Sequence, residues 1–212
     1  MWQQVYSEIA APGFEFLAIA LDPAGPDAPR PFVEAAGATF PALVDDTGRS
    51  SEAFGFKVVP NGVLVERDGT IAYRKEGGFS NANAADLEAV RRFARGDDPG
   101  PSPATGAAPY ELGRLEHELV ATRMAYAQTL ASVGRTEAAV EQWQAALRLD
   151  PLNLTIRKVI WAVRFPERFH PVIDWAWQKR QLARERKEEI SAGNCGPDGC
   201  PIPPPGPEAG RA

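Results

Sequence analysis

Between Gly96 and Pro109, glycine and proline fill 7 of 14 positions, with Asp97, Asp98, Ser102 and Thr105 among the rest. Such a segment has too little apolar surface to offset the entropy of ordering its backbone, so it reads as an extended linker rather than part of a core. It divides the chain. Residues 1–95 carry 9 bases and 13 acids, whereas residues 110–192 carry 13 bases and 11 acids. A second stretch, residues 193–212, has glycine or proline at 11 of 20 positions and holds both cysteines, Cys195 and Cys200. A chain of 212 residues accommodates two small domains at this spacing, and 44% hydrophobic with 24% charged residues is the composition of a folded chain.

Composition also narrows the partners. The net charge is −5 and no basic block is present to track a phosphate backbone, which argues against nucleic acid. The longest apolar run, Phe16 to Leu21, is far short of the roughly 20 residues of a membrane helix, so no membrane insertion is expected. Nothing near Met1 has the pattern of a signal peptide; the chain as written reads as cytoplasmic, and as periplasmic if a signal precedes it.

In residues 1–95, Trp2, Val5, Tyr6 and Ile9 recur at helical spacing, which predicts a helix from Met1 to Ala10. No capping residue precedes it, as if the helix began further upstream. Phe14 to Leu21 is almost continuously apolar and predicts a strand buried on both faces, of the kind usually found in parallel sheets. A short helix is expected over 31–36, a strand over Ala42-Leu43-Val44, and a helical turn from Arg49 to Phe54. Val63 to Glu66 and Thr70 to Tyr73 flank Arg67-Asp68-Gly69, a hairpin signal because Gly accepts the positive φ of the turn. Asn83 to Arg95 reads as a closing helix capped by Asn81 or Asn83, with Leu87, Val90 and Phe93 as its stripe.

This order, with Phe40-Pro41-Ala42-Leu43-Val44-Asp45, Ala53-Phe54-Gly55-Phe56-Lys57-Val58-Val59-Pro60 and Val63 to Ile71, resembles the thioredoxin-like redoxins, thiol–disulfide oxidoreductases of the ResA/TlpA kind. The resemblance implies an α/β thioredoxin-like domain. It also implies that Pro60 follows a cis bond and that Val59 and Pro60 form the substrate-binding backbone opposite the active-site dithiol. On base rates alone, a trans proline opening an edge strand is the simpler account. The family's Cys-x-x-Cys, or a selenothiol in its place, and the central strand before it would lie upstream of Met1, so no catalytic residue is assigned within this chain. Without that strand, Phe14 to Leu21 would lack a ladder partner, at about 1–3 kcal/mol per buried unpaired group. The competing account is a domain that has lost the motif.

Tyr110 to Val133 and Thr136 to Leu149 predict two helices separated by Gly134. Ala127, Leu130, Gly134, Ala139, Trp143, Ala146 and Pro151 fall where a tetratricopeptide repeat places its small, large and breaking residues, and this resemblance implies an all-α repeat domain over residues 110–192. One repeat cannot bury its own face, so helices over Leu154 to Arg164 and Pro171 to Ile190 are expected to cover it. Trp161, Trp175 and Trp177 read either as core or as a peptide-binding surface, and neither His117 nor His170 is assigned a role.

The intact protein is therefore expected to exchange thiols and disulfides with a protein or small-molecule substrate, without a cofactor. The alternative is a non-catalytic adaptor that binds a partner protein through its helical domain. In the tail, Cys195 and Cys200 read as a redox relay, as half of a metal site, or as idle thiols; zinc normally takes four ligands, and no metal is assigned. Because Pro197, Asp198 and Gly199 favour a turn, the two thiols are expected to form a reversible intramolecular disulfide that adds little stability. Mass spectrometry of the chain equilibrated in glutathione buffers checks this: loss of two hydrogens without dimer formation is the expected result, and purely intermolecular oxidation is the contrary one.

Overall fold

The structure, a computed structural model, describes residues 2–9, 12–22, 25–104 and 110–191. It is mixed α/β, with eight α-helices and two small sheets among the described residues. Contacts divide the chain into two units, residues 1–106 and 107–212.

In the first unit, α1 (Trp2–Ile9) precedes a parallel pair, β1 (Ala18–Leu21) and β2 (Ala42–Asp45), in register from Ala18↔Ala42 to Leu21↔Asp45. Helices α2 (Arg30–Ala35) and α3 (Arg49–Phe54) flank β2 in the chain. The expected long, doubly buried strand is corrected here: only the last four residues of Phe14 to Leu21 are strand, and Leu17 and Ile19 are 53% and 41% exposed. Aromatic packing explains the shortening. Phe14 and Phe16 leave the strand for a ring cluster in which Phe16 meets Trp2 at 5.7 Å, Tyr6 at 5.5 Å and Phe40 at 5.7 Å, while Phe14 meets Phe93 at 6.1 Å. The strand also has a ladder partner, β2, where none was expected from the missing-strand reading.

The hairpin joins β3 (Gly62–Val65) to β4 (Ile71–Lys75) as predicted, antiparallel, with Leu64 opposite Tyr73 and both buried. Its turn is closed by Glu66 N–H donating to the Thr70 carbonyl at 2.8 Å, and Gly69 sits at φ +90°, where a side chain would be strained. Helix α4 (Ala84–Ala94) starts at Asn83, whose side chain accepts from the N–H groups of Ala85 and Asp86. Ala89 and Val90 of α4 pack on Leu64 and Tyr73, with Trp2, Phe16, Phe79 and Phe93 around them. Asp86 is the exception within this core. Its side chain is 1% exposed and receives the Lys75 ammonium at 2.8 Å on both oxygens, plus the Ser80 N–H at 2.9 Å. The start of the expected linker is tied down: Arg74 N–H donates to Ser102 Oγ at 2.9 Å.

The second unit contains α5 (Arg114–Ser132), α6 (Thr136–Leu149), α7 (Leu154–Arg164), a 3-10 turn (Pro166–Arg168) and α8 (Trp175–Ser191). Ala127, Leu130, Ala139, Val140, Trp143, Ala146, Ile156 and Ile160 form its core. The three alanines, with no measurable exposure, let α5 and α6 approach closely, and Trp143 fills the space between helices. Two boundaries differ from expectation. Tyr110 is not helical, because its hydroxyl is drawn to the turn after α6, donating to Asp150 Oδ1 at 2.5 Å and accepting from Leu152 N–H at 3.0 Å. Helix α8 starts at Trp175 rather than Pro171, because Asp174 accepts from Trp177 N–H at 2.8 Å and supplies the cap.

Asp45 ends β2 and organises the turn into α3. Its carboxylate accepts from the N–H groups of Thr47, Gly48, Arg49 and Ser50 and from the hydroxyls of Thr47 and Ser50. Burial alone would raise its pKa, but the hydrogen bonds from Ser50 and Thr47 outweigh that and hold it below the ordinary 3.8. A depressed folded-state pKa contributes stability that is present above the unfolded value and is lost as pH falls through the folded one. Asp45→Asn is therefore expected to flatten the acid limb of the stability curve below about pH 4, measured by urea unfolding at stepped pH.

Candidate functional site

The residues that the sequence marked for substrate binding lie in the turn between α3 and β3. The Val59–Pro60 bond is cis, the conformation the redoxin resemblance implies. Pro60 is exposed and Val59 half-buried. The turn is held from behind. Asn61 Nδ2 donates to the Val58 carbonyl at 2.6 Å, and Asn61 Oδ1 accepts from Gly77 N–H at 2.8 Å. Glu76 Oε1 accepts from Lys57 N–H at 2.7 Å, and Phe79 N–H donates to the Pro60 carbonyl at 3.2 Å.

Neighbouring side chains hold these groups in turn. Arg74 reaches back to donate to the Phe54 carbonyl at 2.9 Å, lies 3.6 Å from Glu76 and covers the Phe56 ring at 4.8 Å. Phe79 stacks on Trp2 with ring centroids 5.1 Å apart, a contact that needs Gly62, since a Cβ there would come within 2.5 Å of the Phe79 ring. Among the described residues, neither the N–H nor the carbonyl of Val59 takes part in a hydrogen bond. That leaves one donor and one acceptor on a fixed turn, the arrangement an extended peptide needs for backbone pairing.

Sequence reasoning named Val59 and Pro60 but missed Asn61, Arg74, Glu76 and Phe79. The Asn following Pro60 was a usable signal, because Asn side chains readily bond nearby backbone. Glu76 and Phe79 carry no comparable local signal, since their partners lie about 20 residues away in the chain. Cys195 and Cys200 lie outside the described residues, so the relay, metal and idle-thiol readings are unaltered. Among the described residues no three His, Cys, Asp or Glu side chains converge to hold a metal, and no helix is long and apolar enough to cross a membrane.

The second unit has a groove of its own. A cavity of about 510 Å³ lies among α6, α7 and α8, lined by Leu147, Pro151, Ile160, Trp161 and Phe165 together with arginines and glutamates. Its base is a charge network: the Arg157 guanidinium, 1% exposed, donates to Glu185 at 2.6 Å, to Glu189 at 2.9 and 3.2 Å, and to the Pro151 carbonyl at 2.9 Å. Glu185 also accepts from Trp161 Nε1 at 2.7 Å and Gln181 Nε2 at 2.6 Å. Arg148 and Arg164, also lining the groove, have no carboxylate within salt-bridge distance among the described residues.

The three tryptophans left open by the sequence separate here. Trp161 is buried and meets the half-buried Trp177 edge-on at 5.6 Å, while Trp175 is 59% exposed. Comparisons with protein-family models, with curated proteins and with solved structures found no match.

The Asn61 staple gives a direct test of how the turn is held. Asn61→Ala leaves the Val58 carbonyl and the Gly77 N–H without their side-chain partner, so it is expected to lower stability by about 1–3 kcal/mol. Its largest amide-exchange increase should fall at Gly77, read by hydrogen exchange. Unchanged protection there would show that the turn is held by other contacts.

Proposed function

We propose that the first unit is a thioredoxin-like redoxin domain and that the intact protein is a thiol–disulfide oxidoreductase. One observation carries this reading: the unpaired backbone N–H and carbonyl of Val59, next to the exposed Pro60, on a turn fixed by Asn61, Glu76 and Phe79. A substrate cysteine presented in an extended segment would pair with Val59 and so be aimed at an attacking thiolate. The substrate is a protein or a small-molecule thiol or disulfide. Residues 1–194 contain no cysteine, and the proposal assigns the attacking thiol or selenol to a segment preceding α1. At the start of a helix, the free N–H groups and the helix dipole would lower its pKa and favour the thiolate.

A second reading has its own support. The absence of cysteine from residues 1–194, together with the groove beside Trp161, favours a non-catalytic adaptor whose helical unit, tetratricopeptide-like in this proposal, binds a partner protein. The nucleotide sequence preceding Met1 separates the two: an in-frame strand followed by a Cys- or selenocysteine-containing motif supports the oxidoreductase, and a non-coding region supports the adaptor.

Both readings agree on the chain itself. Residues 1–212 assayed for insulin reduction with dithiothreitol are expected to give turnover no greater than buffer, because no attacking thiolate is present in the first unit. Turnover that persists after Cys195→Ser and Cys200→Ser would overturn the mechanism.

A further inference from the structure

The groove of the second unit is walled by three helices. Arg157, Ile160, Trp161 and Arg164 share one side of α7 at steps of three and four residues, and Gln181, Arg184, Glu185 and Glu188 do the same on α8. Leu147 and Arg148 close it from α6. At about 510 Å³ it falls within the roughly 300–1,000 Å³ of small-molecule sites, which often lie between helices. Its accessible apolar side chains are the half-buried Leu147 and Phe165, set over the buried Trp161 and Ile160. The indole beneath them is held in place, because Trp161 Nε1 donates to Glu185 at 2.7 Å and its ring meets Trp177 edge-on.

Most of the groove's charges are already spent on one another. The terminal nitrogens of Arg157 are taken by Glu185, Glu189 and the Pro151 carbonyl, while Arg184 donates to Gln181 Oε1 at 2.6 Å and lies 3.9 Å from Glu188. Two cations are left over. The side chains of Arg148 and Arg164 make no hydrogen bond or ion pair among the described residues, although both line the groove. The base also keeps an unanswered donor, since the buried Arg157 Nε has no hydrogen-bond partner. Four arginines and three glutamates line the groove, an excess of one positive charge, which disfavours a cationic ligand and matches a single negative one.

We propose that this groove binds a small organic carboxylate, its apolar body on Leu147 and Phe165 and its charged end on Arg148 and Arg164. The chain order supports the pairing of roles: Leu147 precedes Arg148 on α6, and Arg164 precedes Phe165 at the end of α7, so two walls each offer an accessible apolar side chain beside a spare guanidinium. A guanidinium meets a carboxylate through two parallel N–H donors, which suits the arginines to that group. The glutamates do not oppose it, because Glu185 and Glu189 are neutralised at Arg157 and Glu188 lies beside Arg184. This inference uses only the second unit and is independent of the redox reading.

Octanoate, octanol and octylamine share one apolar body and differ in charge, so together they test the assignment. In an NMR titration of the full chain from about 10 µM to about 3 mM, read at the Trp161 indole N–H, octanoate is expected to give a saturable shift and to bind at least about tenfold more tightly than the other two. Arg148→Gln combined with Arg164→Gln should bring octanoate down to the level of octanol with an unchanged circular dichroism spectrum, since both side chains are exposed and unbonded. No saturable shift with octanoate, equal binding of octanol or octylamine, or octanoate binding unaffected by the two substitutions would each overturn the proposal. So would a blocked acidic peptide that displaces octanoate and binds more tightly, because the groove would then belong to a partner protein.

Discussion

Each unit of this chain closes around a charge that water does not reach, and such a charge is tolerated only where an opposite charge and further hydrogen bonds meet it. In the first unit it is Asp86, held by Lys75 and by the Ser80 N–H. In the second it is Arg157, held by Glu185, Glu189 and the Pro151 carbonyl. Loss of one member of a buried pair costs about 3–5 kcal/mol, a large part of the stability of a domain this size. The partners come from different elements, so the requirement fixes tertiary geometry: Asp86 binds α4 to β4, and Arg157 binds α7 to α8. Burial first, and then the neighbouring Asp86 carboxylate, push the Tyr73 phenol above its ordinary pKa, which keeps that hydroxyl protonated inside the core.

The candidate site inherits its position from this arrangement. Ser80, which donates to Asp86, is next in sequence to Phe79, and Phe79 both stacks on Trp2 and donates to the Pro60 carbonyl. A chain of contacts thus runs from the buried carboxylate to the carbonyl of Pro60, beside the unpaired backbone of Val59. A binding turn is useful only if its free donor and acceptor stay where a partner needs them, because ordering them at the moment of binding would subtract from affinity. Fixing the turn from behind while leaving its outer face unpaired meets that need. In the helical unit the groove beside Trp161 has a charged base in which the two terminal nitrogens of Arg157 are bonded to Glu185, Glu189 and the Pro151 carbonyl, while its buried Nε has no hydrogen-bond partner among the described residues.

Elements carried by local chemistry were legible from the chain. Asn83 caps α4, Gly69 closes the hairpin, Gly134 separates α5 from α6, and the small and aromatic residues from Ala127 to Ala146 meet in one core. Errors came where a distant partner outbid a local preference. Phe14 and Phe16 belong by composition to a strand, yet their rings pack on Trp2, on Phe93 and on each other instead of extending the four-residue ladder of β1. Tyr110 reads as helical until Asp150, 40 residues away, takes its hydroxyl.

Composition, periodicity and turn chemistry therefore determined the two-unit division and the order of the elements, because those depend on residues within a few positions of one another, whereas Val59 and Pro60 were marked only by the redoxin resemblance. Tertiary structure alone decided which charges are buried and paired, and how Asn61, Glu76 and Phe79 brace the turn. These depend on which side chains meet after the chain has folded back on itself, and neither hydrophobic period nor propensity encodes that pairing.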